Sequence, residues 1–259
     1  MTAPLSGIKV VELARILAGP WAGQTLADLG ADVIKVEAPE GDDTRRWGPP
    51  FIDRDGDRSA AYFHATNRGK RSITCDFRTP EGQEVVRRLV ADADVVIENF
   101  KVGGLAKYGL DYASIAAINP RIVYCSITGF GQTGPYTQRG GYDFVAQGMG
   151  GFMSVTGEEH GGPLRAGVAM ADLSTGNFAA ISILAALRHR DATGGRWNGE
   201  AGAGCVAGQG QMVDVALYEA VFNMMESMVP EYDHAGVVRE RTGRPVTADG
   251  SLIGRRAAV

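Results

Sequence analysis

Histidine and cysteine are scarce in this chain of 259 residues, four of the first and three of the second. The thiols Cys75, Cys125 and Cys205 form no CxxC pair, and no two histidines stand at metal-ligand spacing. No disulfide framework and no metal centre are therefore expected, and scattered thiols of this kind fit a reducing, cytoplasmic setting. Basic residues are outnumbered, 26 Lys and Arg against 30 Asp and Glu, and the net charge of -4 argues against a general nucleic-acid binder. The opening MTAPLSGIKVVELA has no basic leader and no long apolar segment. No run approaches the roughly 20 apolar residues of a membrane span, so neither a signal peptide nor a membrane protein is expected. The nucleotide fingerprints GxGxxG and GxxxxGK[ST] are missing as well.

Glycine is plentiful, at 36 residues, and falls mainly between short apolar segments. Residues 8–13 (IKVVEL) read as a buried strand, 14–20 (ARILAGP) as a loop, 21–29 as a helix opened by Pro20 and stopped by Gly30, and 32–37 (DVIKVE) as a second strand. Strand, loop, helix and strand in so short a stretch is a βαβ unit, which favours a right-handed parallel crossover. The pattern repeats. Strands are expected at 73–76, 94–98, 122–126 and 211–215, and helices at 61–65, 80–90, 101–108, 111–118, 142–148, 173–190 and 216–228. The expected fold is α/β, a six-stranded, mostly parallel, Rossmann-like sheet with helices on both faces, spanning residues 1–228. Residues 38–60 read as one long polar surface loop. Residues 192–210, rich in Gly and Ala without periodicity, read as a flexible insertion.

Three features carry candidate chemistry. Asp172 stands between a Gly/Pro-bearing loop and the small-residue helix that follows it in GGPLRAGVAMADLSTGNFAAISILAAL. A helix N-terminus presents unpaired N–H groups and a positive dipole end, so a carboxylate there is expected to stay ionised. It serves equally as a helix cap or as a nucleophile. The turn Asn67-Arg68-Gly69-Lys70-Arg71 puts three cations beside a glycine at the start of a strand. It is either a phosphate grip or a solvated basic turn. The loop AGPWAG and the pair Asn99-Phe100 both follow strands, at the edge where open α/β sheets bind ligands.

Taken in order, LSGIKVVEL, AGPWAGQTLADLGADVIKVEAPEGDDTR, NRGKRSI, TPEGQEVVRRLVADADVVIENF, GLDYASIAAINPRIVYCSITGFGQTGP, GYDFVAQGMGG, GVAMADLSTG and QMVDVALYEAV resemble the family III CoA-transferases, the CaiB/BaiF family, over about residues 5–242. The resemblance implies acyl-CoA chemistry without a metal. An aspartate, here Asp172, attacks the thioester of a donor acyl-CoA and passes CoA to an acceptor carboxylic acid through an aspartyl-CoA thioester. It also implies that Ile16, Leu17 and Ala18 line the thioester end. Asn67, Arg68, Lys70 and Arg71 would run along the nucleotide or pantetheine of coenzyme A, Asn99 and Phe100 would close over it, Lys107 would meet phosphate, and Arg139 would sit near another such position. Tyr142 would line the acyl pocket. It stands in GYD where the family's racemases carry GHD; a phenol with an ordinary pKa near 10 is a poor proton-transfer base, which favours transferase over racemase. The tract MMESMVPEYDHAGVVRERTG resembles members acting on succinate- or glutarate-type dicarboxylates.

Full-length relatives are interlocked homodimers with a second small domain. The resemblance implies that most of that domain is absent here, that residues 229–259 are its beginning, and that the 192–210 stretch is inserted where relatives have a short turn. A CoA-binding remnant without turnover is the remaining alternative.

Overall fold

The computed structural model describes residues 2–193 and 208–243. Six parallel strands form the sheet: β1 (Lys9–Glu12), β2 (Asp32–Glu37), β5 (Arg71–Thr74), β6 (Val95–Glu98), β7 (Val123–Thr128) and β8 (Met212–Ala216). Their order across the sheet is β5-β2-β1-β6-β7-β8, and every pairing is parallel. The first strand thus sits centrally and the chain winds outward to both sides from it. The strand order reverses between β1 and β6, which opens a crevice at their carboxyl ends.

Central strands read as apolar because both faces are covered. All four residues of β6 are buried, as are the first five of β7. One face packs under α1 (Ala18–Asp28) and α6 (Met170–Thr193), and a cluster of Val10, Leu26, Ile97, Ile127 and Ile183 fills that layer. The other face packs under α3 (Pro80–Ala91) and α4 (Tyr112–Ile118), through Val11, Val86, Val96, Leu110 and Ile115. The start of α3 follows the sequence signals, with the Thr79 hydroxyl accepting from Gly82 N–H at 3.1 Å and Pro80 in the first turn.

Three expectations are corrected. Residues 38–60 are not one loop. They hold a 3₁₀ turn (Asp43–Arg46) and an antiparallel hairpin of β3 (Phe51–Arg54) and β4 (Asp57–Ala60), turned by Asp55 and Gly56, both at positive φ. The helix expected over 101–108 is only a 3₁₀ turn, Ala106–Tyr108. The helix expected over 216–228 is two, α7 (Leu217–Asn223) and α8 (Met228–Ala235), interrupted where Glu226 takes φ of 51°.

The long helix of the chain lies in the core. Helix α6 has 24 residues, and its most apolar 18-residue window, at a mean hydropathy of 1.4, meets the length and composition of a membrane span. In the fold it is a core helix, packed on the sheet and α1 and ending in a buried Arg190 that pairs with Asp94 and Asp191, each at 2.9 Å. Most of the glycine-rich 192–210 stretch and the last residues of the chain lie outside the described residues.

Candidate active site

The crevice between the carboxyl ends of β1 and β6 opens into a cleft of about 220 Å³. The loop leaving β1 supplies Arg15, Ile16 and Leu17, and the first residue of α1 supplies Ala18. The loop after β6 gives Asn99, Phe100 and Lys101. Gly129 and Arg139 come from the glycine-rich segment after β7. Tyr142 and Asp143 come from the start of α5 (Asp143–Met149), Asp172 from the first turn of α6, and Leu217 from α7. Ile16, Leu17, Ala18, Asn99, Phe100, Tyr142 and Asp172 thus share one cleft.

Asp172 is not the cap of its helix. That position is served from outside, by the Asp143 carboxylate, which accepts from Ala171 N–H at 2.7 Å and from Asp172 N–H at 3.4 Å. Asp143 is itself held by the buried Gln147, whose amide donates to it at 2.6 Å while its carbonyl accepts from Ala166 N–H at 2.8 Å. The Asp172 carboxyl is left facing the cleft, and among the described residues no Lys or Arg forms an ion pair with it. Its expected full ionisation is therefore corrected. Burial first, and then the charge of Asp143, push its pKa up to about 7, against a weaker downward pull from the Ala18 N–H. At neutral pH roughly half the molecules carry the anion.

Helix α1 begins earlier than the sequence suggests, at Ala18 rather than after Pro20, and has no side-chain cap. That early start places Ala18, at the first turn of α1, in the cleft wall with Asp172. Gly176 allows the approach of the two helices: a Cβ there would lie 2.7 Å from the Ala18 carbonyl oxygen and 2.9 Å from Trp21. The Trp21 indole donates to Asn177 at 2.9 Å and locks the pair.

Asn67, Arg68, Lys70, Arg71 and Lys107 do not line the cleft. Lys70 is neither a free phosphate grip nor a solvated cation. It is buried beneath α1, paired with Glu12 at 2.7 Å and donating to the Pro20 carbonyl at 2.8 Å and Asn67 Oδ1 at 2.9 Å, and burial lowers its pKa to about 8. Arg68 and Arg71 form two-point pairs with Asp28 and Asp32 at the surface. Lys107 is exposed, over the Tyr108 ring at 4.8 Å. Asn99 lines the cleft, but both its amide atoms are engaged: Arg15 N–H donates to its oxygen at 2.9 Å and its nitrogen donates to the Arg15 carbonyl at 2.7 Å.

Several cleft residues escaped the sequence reading. Arg15 and Lys101 add positive charge to the walls, beside Arg139, which the resemblance places near a phosphate-meeting position. Asp143 was visible only as the neighbour of Tyr142. Glu98 lies behind the cleft against a smaller cavity of about 50 Å³. Burial lifts its pKa to about 7 although Ser126 and the Phe100 N–H bind it. Tyr62, on α2 (Ala61–Thr66), lies near enough to Asp172 and Asp143 for their charges to add to the rise of its pKa, which burial dominates.

Comparison with known proteins gives the same family from sequence and from structure. A CaiB/BaiF family protein from Brucella suis, solved by crystallography, superposes with a TM-score of 0.88 at 60% identity, over 96% of this chain and 62% of that one. The succinate–glutarate CoA-transferase of Agrobacterium fabrum is 55% identical over 96% of this chain and 62% of its own length. The human succinyl-CoA:glutarate CoA-transferase is 50% identical over 74% of this chain and 43% of its own length. The chain therefore spans less than two thirds of the curated relatives it matches. With the family model described as CoA-transferase family III matching residues 5–250, the chain belongs to that family.

Proposed function

We propose that this chain carries the nucleophile and the acyl-binding cleft of a CoA-transferase that moves CoA from an acyl-CoA to a carboxylic acid. The observation that carries the reading is Asp172: a carboxyl in a cleft at the sheet's switch point, relieved of capping by Asp143 and, among the described residues, without a cation locked onto it. Its anion attacks the thioester carbonyl, the C–S bond breaks, and CoA leaves as thiolate, giving a mixed anhydride. The thiolate then attacks the aspartyl carbonyl, expelling the donor acid as carboxylate and leaving an aspartyl-CoA thioester. An acceptor carboxylate attacks the aspartyl carbonyl of that thioester, expelling CoA as thiolate and forming a second mixed anhydride. The thiolate then attacks the acceptor's acyl carbonyl, giving the new acyl-CoA and freeing the Asp172 carboxylate. A pKa near 7 makes the carboxylate more basic, and so more nucleophilic, than an exposed one while leaving a large share ionised.

Dicarboxylates such as succinate and glutarate are the proposed substrates, supported by the names of the Agrobacterium fabrum and human relatives and by Arg15, Lys101 and Arg139 on the cleft wall. Coenzyme A enters as acyl-CoA substrate. Tyr142, exposed and stacked on Phe144, supplies no imidazole for a racemase. A homodimer in the cytoplasm is part of the same proposal; exposed Phe144, Val168, Ile181, Phe222 and Val238 offer apolar surface for a second copy. The test is chemical. Incubation with succinyl-CoA followed by hydroxylamine should place a hydroxamate on Asp172, located by mass spectrometry. Binding of CoA without any hydroxamate would instead mark a binding module.

A further inference from the structure

Ile16 is one of three non-glycine residues at positive φ among the described residues, at 69°. A β-branched side chain makes that conformation unfavourable, and it occurs in the wall of the cleft, two residues before Ala18. Strain of this kind persists only where the surroundings enforce it. Here the enforcement is visible. The Ile16 N–H donates to the two oxygens of Asp42, at 3.2 and 3.4 Å. The peptide before it is bracketed by the Asn99 amide. Asp42 is 2% exposed and does not line the cleft. It is fixed by Lys35 at 3.0 Å and by the Thr44 hydroxyl and N–H at 2.7 and 3.0 Å. Lys35 in turn holds Glu12 at 3.0 Å and the Ala14 carbonyl at 2.8 Å. The buried charges are thus tied to both ends of the turn that leaves β1.

We infer that Asp42 is a positioning residue for Asp172: it locks Ile16 in the left-handed conformation, and the locked turn seats Ala18 beside the Asp172 carboxyl in the wall of the shared cleft. The catalytic meaning of this rests on the proposed transferase reading, whereas the coupling between Asp42 and Asp172 does not.

A double-mutant cycle tests it. Glycine adopts positive φ without a Cβ clash, so Ile16→Gly removes the need for the lock. The readout is the titration midpoint of Asp172, followed by carboxyl ¹³C NMR. The charged or titratable groups facing it are Asp143 from α5, Tyr62 from α2, and Arg15, Lys101 and Arg139 across the cleft. None of these is altered in the cycle. In the otherwise wild-type chain, Asp42→Asn is expected to raise the midpoint by roughly half a pH unit or more, as weakening of one hydrogen bond to the anion should. In the Ile16→Gly background the same substitution should move it much less. Hydroxamate formation from succinyl-CoA should fall with Asp42→Asn, and the fall should shrink in the Ile16→Gly background.

Equal shifts in both backgrounds, or no shift in either, would overturn the inference. If Asp42→Asn alone does not fold, the double variant decides: a folded protein with the midpoint of the Ile16→Gly protein supports the lock, and an unfolded or shifted one refutes it. Absence of hydroxamate in the wild type would count against the transferase reading and leave the titration cycle to judge the lock.

Discussion

Replacing Asp172 by Asn should stabilise the fold while abolishing transfer. The folded-state pKa is about 7 against an ordinary 3.8, so the native state binds a proton more tightly than the unfolded chain. The sign follows from linkage. Below about pH 4 both states hold the proton and the carboxyl imposes no ionisation penalty. As the pH rises from there to 7, unfolding releases a proton, and the wild type loses stability until it levels off above pH 7. The full shift corresponds to at most about 4 kcal/mol, and partial exposure to the cleft reduces the realised figure to about 1–3 kcal/mol. Asparagine keeps the shape, leaves the Asp143 cap of α6 in place and does not ionise. Chemical denaturation at pH 5, 6, 7 and 8 should therefore show Asp172→Asn gaining steadily on the wild type and then holding its lead. Hydroxamate trapping on the same samples should show transfer falling by about a thousandfold or more, because the attacking oxygen is gone. A uniform loss of stability at every pH, or a stability difference that does not vary between pH 5 and 7, would refute this account of the site.

Other consequences can be measured as directly. Lys70→Met should destabilise the protein by about 3–5 kcal/mol in thermal or urea melts, because it strips one cation from the buried Glu12; CoA affinity and its salt dependence, measured on the folded fraction by calorimetry, should change little. Gly23→Ala should lower the melting temperature, since the new Cβ would stand 1.9 Å from Glu12 Oε2 and force the buried ion pairs to move, at a cost of about 2–3 kcal/mol. Gly176→Ala would set a Cβ against the Ala18 carbonyl and Trp21 and wedge α1 away from α6. Its effect on hydroxamate formation should exceed the roughly 1–3 kcal/mol of packing strain seen in melts.

The sheet was readable because its strands are short apolar runs set off by glycine, proline or polar segments, and because a parallel sheet buries both faces. The cleft was readable in part for the same reason: Ala18, Asn99 and Asp172 each follow a strand or open a helix. The hairpin of β3 and β4 had a usable signal, the Asp55-Gly56 pair, but its flanking residues are polar and mostly exposed, so no alternating pattern drew attention to it. The break between α7 and α8 had only flanking signals, Ser227 at the cap position and Pro230 in the first turn of α8, with no glycine or proline at 224–227. Charges misled most. Lys70 reads as a surface cation beside two arginines, and its burial follows from Glu12, 58 positions away, which a linear reading does not pair with it. Asp172 reads as a cap because the true cap, Asp143, comes from another helix.

The order in which the strands sit also bears on how the site is reached during folding. Strands β1, β2, β5 and β6 come from the first hundred residues, although β6 returns to β1 (Val10↔Val95) across a span almost as long as the one that brings β8 to β7. Strand β8 pairs with β7 in the register Thr128↔Ala216, across the whole span of α5, α6 and the stretch beyond. Closing so long a loop is entropically unfavourable and kinetically slow. Leu217, which follows β8 directly, forms one wall of the cleft, and Asp214 on the same strand accepts the Gln132 N–H at 2.9 Å in the segment after β7. The nucleophile's surroundings are therefore completed by the last strand to enter the sheet in chain order. Chains caught before that step would already possess most of the sheet and still lack a finished cleft.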